Sequence, residues 1–338
     1  IQMRIGIDAR TMFAPHPRGT GRNLFDAYRT LSALRPQWRF VLYHRRDRRA
    51  AELLRTAEGA GFLDAPNVQA VRIDCPGDRW DLWLHLRLPL RARRDGLDVL
   101  HTPANAAPAN CATPVAATIH DLIPLRVAGE VDENERRRFR RRVERTVRVA
   151  RRLITPTAAT RDDLVQEFGV DPLRVSIVPW AGDSRVQSIA GDPAVRRRAI
   201  RRIREKYDLN RPWLLNFSGD SARKNAHRIV RALAAIPRSL RTNSMLVMVG
   251  CEPGSLRQEL QCAAGEAGVA EHCRFLGFVP HADLPGMICG AAGVLLPSLC
   301  EGFGLPLVDA FACGTPALAS RGGALQEVAG DAAEYCDP

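Results

Sequence analysis

The feature that most constrains the fold is an alternation that runs along the whole chain, in which apolar runs of strand length are followed by amphipathic segments of helix length. Strands that alternate with helices form mostly parallel sheets that are covered on both faces. The predicted strands are 4–7, 40–43, 68–73, 97–101, 115–119, 153–155 and 175–178, then 213–217, 245–249, 274–276, 294–296 and 317–319. The predicted helices are 21–34, 133–150, 160–168, 193–207, 225–236, 255–265, 282–290 and 305–313.

This pattern restarts once, near Gly182, where a polar, arginine-rich helix precedes a fresh strand. A chain of 338 residues is too long for one ordinary core and predicts two Rossmann-like α/β domains, 1–182 and 183–338, that face a central cleft. Ligands of such sheets bind at the carboxyl ends of the strands. The chain stops soon after a candidate strand at 333–336, so a truncated C-terminal end is expected.

The net charge of +12 favours a polyanionic partner, which includes nucleic acid, an anionic lipid surface or a phosphorylated substrate. Aromatic residues make up only 6% of the chain and are not interleaved with basic ones, so no nucleic-acid partner is expected. The sequence has no apolar run of membrane-spanning length and no signal pattern, which predicts a cytoplasmic protein. The nine cysteines include no CxxC pair, so no zinc ribbon is predicted.

The turn after the strand at 213–217 is the first candidate site. Its small residues lead into Arg223 and Lys224 and then into a helix start. Such strand-to-helix turns present backbone N–H groups to a phosphate, and two cations would add fixed positive charge. The spacing is not that of a P-loop. The alternative is a solvated turn.

The loop after the strand at 294–296 is a stronger candidate. Glu301 is followed by Gly302, Phe303 and Gly304, and then by a helix with a proline in its first turn. The glycines let backbone approach a ligand, and the free N–H groups of the helix favour an anion. Asp309, eight residues after Glu301, lies on that helix, and the two carboxylates could bind hydroxyl groups. The alternative is that both acids only complement the helix dipole.

Two weaker signals lie in the first half of the chain. His120 and Asp121 close the strand at 115–119, where a histidine would face a ligand, although a hydrogen-bonded structural histidine fits equally. Gly19 and Gly21 imitate the start of a dinucleotide fingerprint, but Leu24 stands at its sixth position. We expect this loop either to lie near the phosphates of a bound donor or near an acceptor, or to be a plain connecting loop.

Taken in this order, these features resemble the GT-B glycosyltransferases of family 4, and most closely their bacterial mannosyltransferase-like and polysaccharide-biosynthesis members. The likeness runs from residue 4 to the end and is densest over 277–330. It rests there on these segments: Gly277-Phe278-Val279, Pro297-Ser298, Glu301-Gly302-Phe303-Gly304-Leu305-Pro306, Cys313-Gly314-Thr315-Pro316 and Glu327-Val328.

This resemblance implies a retaining hexosyltransferase whose donor is a GDP- or UDP-linked sugar, with mannose the first choice, and with no metal and no other cofactor. It makes 1–182 the acceptor-side domain and 183–338 the donor domain. It implies that His120 and Glu301 act at the sugar, with Gly302, Phe303 and Gly304 beside it. It assigns the remaining roles as follows: Arg223, Lys224 and Gly19 to the donor diphosphate, Asp309 to the ribose, and Phe278 and Val279 to the base.

The sequence departs from the family at two positions. The family pairs Glu with a second Glu eight residues later, whereas this chain has Asp309 there. Asp220 stands where many members carry an arginine, which leaves the diphosphate to Arg223 and Lys224. Further helices that usually follow in the family are absent from this sequence, which bears on domain closure.

The helix predicted at 133–150 carries arginines on nearly all faces around an apolar stripe. One interpretation is a surface that meets anionic lipid, or a lipid-linked acceptor, at the inner membrane face. The other is a helix that is only solvated. The acceptor itself, whether a sugar, a lipid-linked group or a small molecule, has no signature in the sequence. Two other functions stay open: a sugar phosphorylase on the same fold, and a non-catalytic protein that binds a nucleotide sugar or a polyanion.

Overall fold

A computed structural model describes residues 2–14, 19–45, 61–75, 80–219 and 221–338. The chain divides into two compact units. The first consists of Ile1–Leu125 and Val131–Pro179, and the second of Arg126–Glu130 and Trp180–Pro338. The predicted fold class, two Rossmann-like α/β domains, is confirmed. The predicted domain boundary between residues 182 and 183 stays a prediction.

The first unit is built on a parallel sheet of seven strands in the order β3-β2-β1-β4-β5-β6-β7. Its first strand in the chain, β1, is almost wholly buried and pairs with β2 on one side and β4 on the other. A strand that is buried on both faces, as β1 is, needs helices on both faces of its sheet. The strands are β1 Arg4–Asp8, β2 Arg39–His44, β3 Val68–Arg72, β4 Val99–Thr102, β5 Val115–Thr118, β6 Arg152–Thr155 and β7 Val175–Ile177.

Three helices of the first unit, Gly19–Leu34, Glu133–Val149 and Ala158–Phe168, were predicted from their periodicity, and the longest of them shows why. Asp132 caps its N-terminus by accepting from Asn134 N and Glu135 N, while Phe139 and Val143 are buried. A π-helical turn at Trp83–Arg87 joins two helices that the sequence analysis did not predict. The helices are α1 Gly19–Leu34, α2 Trp80–Leu82, α3 Leu88–Arg94, α4 Ile123–Arg126, α5 Glu133–Val149 and α6 Ala158–Phe168.

The second unit repeats this order with one strand fewer, as β10-β9-β8-β11-β12-β13, and all its pairings are parallel. Its central strand β8 lies between β9 and β11, and β9 is buried throughout. The strands are β8 Trp213–Phe217, β9 Met245–Val249, β10 Cys273–Leu276, β11 Gly293–Leu296, β12 Ala317–Ser320 and β13 Glu334–Cys336.

Helices cover this second sheet as well. Short ones that the sequence analysis did not predict precede or follow the predicted ones, because few apolar positions mark a helix of one or two turns. The helices are α7 Ser184–Gly191, α8 Pro193–Tyr207, α9 Ala226–Ala235, α10 Arg238–Arg241, α11 Ser255–Glu266, α12 Leu284–Cys289, α13 Leu305–Cys313 and α14 Leu325–Ala329.

The strand order identifies where each unit is best suited to hold a ligand. In both sheets the order reverses beside the first strand of the unit, between β1 and β4 and between β8 and β11. Chains leave these neighbouring strands in opposite directions, and the resulting crevice at their carboxyl ends is the usual ligand site. In the second unit, that crevice is bordered by the two loops that carry Arg223 and Glu301.

Candidate functional site

The loops that follow β8 and β11 are fastened to each other. Arg223 O accepts a hydrogen bond from Leu299 N at 2.8 Å, and Asn225 Nδ2 donates to Pro297 O at 3.1 Å. A 3₁₀ turn at Ala222–Lys224 therefore has a fixed position beside the Glu301 loop. Residue 220 lies outside the described residues.

Arg223, Lys224 and Glu301 form one ion-paired cluster at this edge of the sheet. Lys224 Nζ lies 2.5 Å from Glu301 Oε1, and Arg223 Nη1 lies 2.9 Å from Glu301 Oε2. The Glu301 side chain is only 10% exposed. Burial alone would raise its pKa, but Lys224 and then Arg223 outweigh burial and hold the pKa of Glu301 below its ordinary value. Glu301 is therefore a carboxylate at neutral pH.

Arg223 is held by two acids and a carbonyl. Its Nη1 donates to Cys300 O at 2.6 Å, and its Nε donates to Glu130 Oε1 at 3.3 Å. Burial opposes the charged form of the guanidinium, but Glu301 and Glu130 together raise its pKa above the ordinary value. The cation is thus oriented before any ligand arrives, which is what stabilising a developing negative charge requires.

Glu130 is a member of this cluster that the sequence analysis missed. Its two oxygens accept from Ser221 Oγ at 3.0 and 2.8 Å, besides the contact with Arg223. It lies more than 90 residues before its partners, in a non-helical turn between α4 and α5. No local pattern announces such a pairing, so nothing in the sequence marks Glu130.

The predicted glycine loop has one position where glycine is required. Gly304 has a φ of +100°, and a Cβ built there would lie 2.7 Å from Leu325 Cδ2. The side chain of Phe303 is buried and its ring faces Trp180 at 5.5 Å between centroids. Phe303 therefore anchors the loop through its ring, and its predicted approach to the sugar concerns its backbone.

A second glycine turn, after β12, was not predicted as part of the site. A Cβ at Gly323 would lie 2.4 Å from Glu301 O, and Ala324 N donates to that same oxygen at 2.9 Å. The turn closes against the loop because no side chain intervenes. A Gly-Gly pair after a predicted strand was the available signal, since the carboxyl ends of parallel strands meet at one edge.

Asp309 lies on α13, where its carboxylate is engaged with the backbone. Its Oδ1 accepts from Asp183 N at 2.7 Å, and a Cβ at Gly182 would lie only 2.8 Å from it. Burial, with a further contribution from the Asp183 charge, raises the pKa of Asp309 to about 6. The structure thus gives Asp309 a role in holding the start of α7, and its predicted contact with ribose stays a prediction.

The predicted base-binding pair splits into an exposed and a buried residue. Phe278 is 56% exposed, whereas Val279 is 4% exposed and belongs to the core. Both follow β10, next to Gly277, whose carbonyl accepts from Gly250 N at 3.1 Å. An exposed aromatic ring can stack on a base, while Val279 has only its backbone to offer.

In the first unit, His120 is held as a neutral ring. Its Nε2 lies 2.5 Å from the Pro103 carbonyl, so Nε2 carries the proton and donates it. Its backbone N donates to Asn105 Oδ1 at 2.7 Å, and its carbonyl accepts from Thr160 Oγ1. Burial lowers the pKa of His120 to about 4, which keeps the ring uncharged at neutral pH.

A second histidine in this unit was also missed. His101, on β4, lies between Tyr28 and Thr118, with Nδ1 2.7 Å from Tyr28 Oη and Nε2 2.8 Å from Thr118 Oγ1. Burial lowers its pKa to about 4. Gly19, predicted to lie near phosphate, is the first residue of α1, and the loop residues 15–18 before it lie outside the described residues.

Two family models match this chain. Residues 17–183 match the model described as Glycosyltransferase Family 4, and residues 199–336 match the one described as Glycosyl transferases group 1. The chain is 27% identical over 260 residues to O-antigen chain mannosyltransferase B of Escherichia coli, over 75% of this chain and 65% of that protein. It is 31% identical over 242 residues to D-inositol 3-phosphate glycosyltransferase of Salinispora tropica, over 67% of this chain and 49% of that protein.

Solved structures agree on the fold. HepE of Anabaena, in complex with UDP and glucose, superposes with a TM-score of 0.71 at 19% identity, over 99% of this chain and 86% of that one. The chain spans between about half and two thirds of the length of these curated relatives. None of the helices within the described ranges is long and apolar enough to cross a membrane. Those same ranges hold no group of three or more His, Cys, Asp or Glu side chains that could bind a metal.

Proposed function

Because the chain belongs to the family 4 glycosyltransferases of GT-B fold, we propose that it transfers a hexose from a nucleoside-diphosphate sugar to an acceptor hydroxyl. The proposal includes retention of configuration at the anomeric carbon and a reaction without a metal ion. One observation carries it: two oriented cations and a buried carboxylate stand together at the carboxyl ends of β8 and β11.

This cluster fits the charge that such a transfer develops. The bond between the anomeric carbon and the diphosphate oxygen breaks, and the nucleoside diphosphate leaves with the electron pair. The acceptor oxygen forms the new bond to the anomeric carbon, and its hydroxyl proton passes to the leaving diphosphate. Negative charge grows on the leaving diphosphate, and Arg223 and Lys224 would stabilise it from fixed positions at no cost of reorganisation.

The proposal distributes the remaining roles as the family resemblance implies. Glu301 binds donor-sugar hydroxyls, since its two oxygens are ionised acceptors. His120 is held neutral, and its Nε2–H is donated to the Pro103 carbonyl. We assign it a contact with the sugar that adds no charge beside the reacting carbon. The other proposed contacts are Gly19 with the diphosphate, Gly302, Phe303 and Gly304 with the sugar, Asp309 with the ribose, and Phe278 and Val279 with the base.

For the donor we propose mannose on a GDP or UDP carrier. The name of the E. coli relative, O-antigen chain mannosyltransferase B, supports mannose, while the Anabaena structure contains UDP and glucose. An acceptor that is a glycan or an inositol phosphate is consistent with the names of the relatives, and a lipid-linked acceptor stays a prediction.

The test is a donor panel in the presence of EDTA. Thermal unfolding of the purified chain with GDP, UDP, ADP and their mannose and glucose derivatives should show selective stabilisation by one base. Release of the corresponding nucleoside diphosphate, with a sugar-bearing product seen by mass spectrometry, would establish transfer. Loss of the signal in EDTA would contradict the metal-free part, and no response to any donor would contradict the proposal.

We also propose that the protein is cytoplasmic and makes a peripheral contact with anionic membrane, which the arginines of α5 support. Among them, Arg137, Arg138, Arg141 and Arg148 are exposed on that helix. Basic side chains near an anionic surface contribute roughly 1 kcal/mol each. Replacing 136–138 and 140–142 by Gln should weaken sedimentation with phosphatidylglycerol vesicles. Unchanged sedimentation would mean that the helix is only solvated.

A further inference from the structure

The cation cluster described above is already neutral without a ligand. Arg223 and Lys224 supply two positive charges, and Glu130 and Glu301 supply two negative ones, all within one set of contacts. A diphosphate that entered beside both carboxylates would meet no net attraction and two like charges. One of the two acids must therefore give up its place for a diphosphate to bind.

The structure indicates which acid that is. The Glu301 loop is fixed by backbone bonds from Leu299 N to Arg223 O and from Ala324 N to Glu301 O, and its carboxylate contacts both cations. Glu130 contacts one cation, through the longer 3.3 Å contact with Arg223 Nε, and belongs to a short turn between two helices. Glu130 is the more weakly held of the two.

The partners of Glu130 are the kind that bind a phosphate. A hydroxyl, Ser221 Oγ, reaches both carboxylate oxygens, and the Arg223 Nε–H reaches one of them. Hydroxyl and guanidinium donors converging on adjacent oxyanion oxygens form a charge-assisted set that a phosphate group satisfies equally. This hydroxyl was assigned no role by the sequence.

We propose that Ser221 and Arg223 form a phosphate subsite for the donor's diphosphate, and that the Glu130 carboxylate occupies this subsite until the donor displaces it. The proposal rests on the proposed function for the identity of the ligand. Ser221 then becomes a ligand of the donor, and Glu130 is an internal competitor that sets how much free donor is needed to fill the site.

Inorganic pyrophosphate is the probe that tests this proposal without depending on base or sugar. Isothermal titration should show that Glu130→Gln binds pyrophosphate about tenfold more tightly than the native chain, because the competing charge is gone while the side chain keeps its shape. Glu133→Gln, an exposed acid three residues later, removes the same charge and should leave the affinity unchanged.

Ser221→Ala tests whether the hydroxyl binds phosphate or only donates to Glu130. In the Glu130→Gln background it should weaken pyrophosphate binding by about fivefold, because a phosphate ligand is lost. If Ser221 served only Glu130, the added change would have no effect, and the subsite would be wrongly assigned. Unligated unfolding midpoints of all variants report whether folding is intact.

Unchanged or weaker pyrophosphate binding by Glu130→Gln would overturn the proposal, since Glu130 would then position Arg223 rather than compete for it. No pyrophosphate binding by either protein would overturn it as well. Tighter pyrophosphate binding without transfer from any nucleotide sugar would leave the subsite standing and contradict the proposed function instead.

Discussion

The two units share a strand order, yet the groups at the carboxyl ends of their central strands differ in charge. In the first unit, His101 and His120 are buried, hydrogen-bonded and neutral, with pKa values near 4. In the second, the side chains of Arg223 and Glu301 are only 11% and 10% exposed but remain ionised, because each charge has an opposite partner within 3 Å.

This difference shows that two sheets of the same strand order can carry either neutral or charged side chains at the carboxyl ends of their strands. Burial disfavours every charged form, and in the second unit the pairing of cations with carboxylates outweighs it. The first unit therefore offers fixed, uncharged donors and acceptors, and the second offers fixed charge. The paired charges of the second unit are therefore the ones suited to stabilise negative charge that develops on a leaving group.

The largest effect is expected from removing the negative charge of Glu301, which contacts both cations of the second unit. Glu301→Gln should lower kcat/KM about a thousandfold, or roughly 4 kcal/mol, because the sugar loses an ionised acceptor and both cations lose the partner that orients them. Transfer assays across donor concentrations measure it. Glu266→Gln on α11 is the matched control, and near-native turnover of Glu301→Gln would place the charged site elsewhere.

The neutral histidines of the first unit predict an acid-sensitive fold. A histidine whose folded pKa is lowered stabilises the fold above its unfolded pKa of about 6.5, and this stability is lost as the pH falls towards 4. His101 alone should account for about 2 to 3 kcal/mol over that window. Urea unfolding at pH 7 and 4.5 measures the loss.

His101→Gln has no titrating ring at this position and should lose less stability than the native protein between those two pH values. It keeps an amide that can bridge Tyr28 and Thr118. An equal loss in both proteins would mean that the acid sensitivity arises from other groups, and the contrast between the units would weaken.

Asp309 predicts the opposite pH dependence in the second unit. An acid whose pKa is raised to about 6 adds stability that is fully present below its unfolded pKa, near 3.8, and is lost as the pH rises through 6. Asp309→Asn, which still accepts from Asp183 N, should be about 1 to 2 kcal/mol more stable than the native chain at pH 8. The gain should vanish at pH 4, and a variant less stable at pH 8 would contradict this account.

Much of the fold followed from the sequence because its signals are local. Each predicted strand overlaps a strand of the structure, since apolar runs of that length can be buried only in a sheet covered on both faces. Arg223, Lys224 and Glu301 were predicted as candidate site residues from local signals, since each lies in a loop that follows such a run, and the structure brings them into one ion-paired cluster. The glycine turn at 322–323 carried a signal of the same kind that was not used.

What the sequence determined by itself is therefore the alternation of strands with the longer helices, the two α/β units, and the candidate binding loops that follow individual strands. Only the tertiary structure brought Glu130 to Ser221 and Arg223, joined His101 to Tyr28 and Thr118, and turned the Asp309 carboxylate to the Asp183 backbone. The physical reason is that a side chain's partner and charge state depend on burial and on neighbours distant in the chain, which local periodicity does not encode.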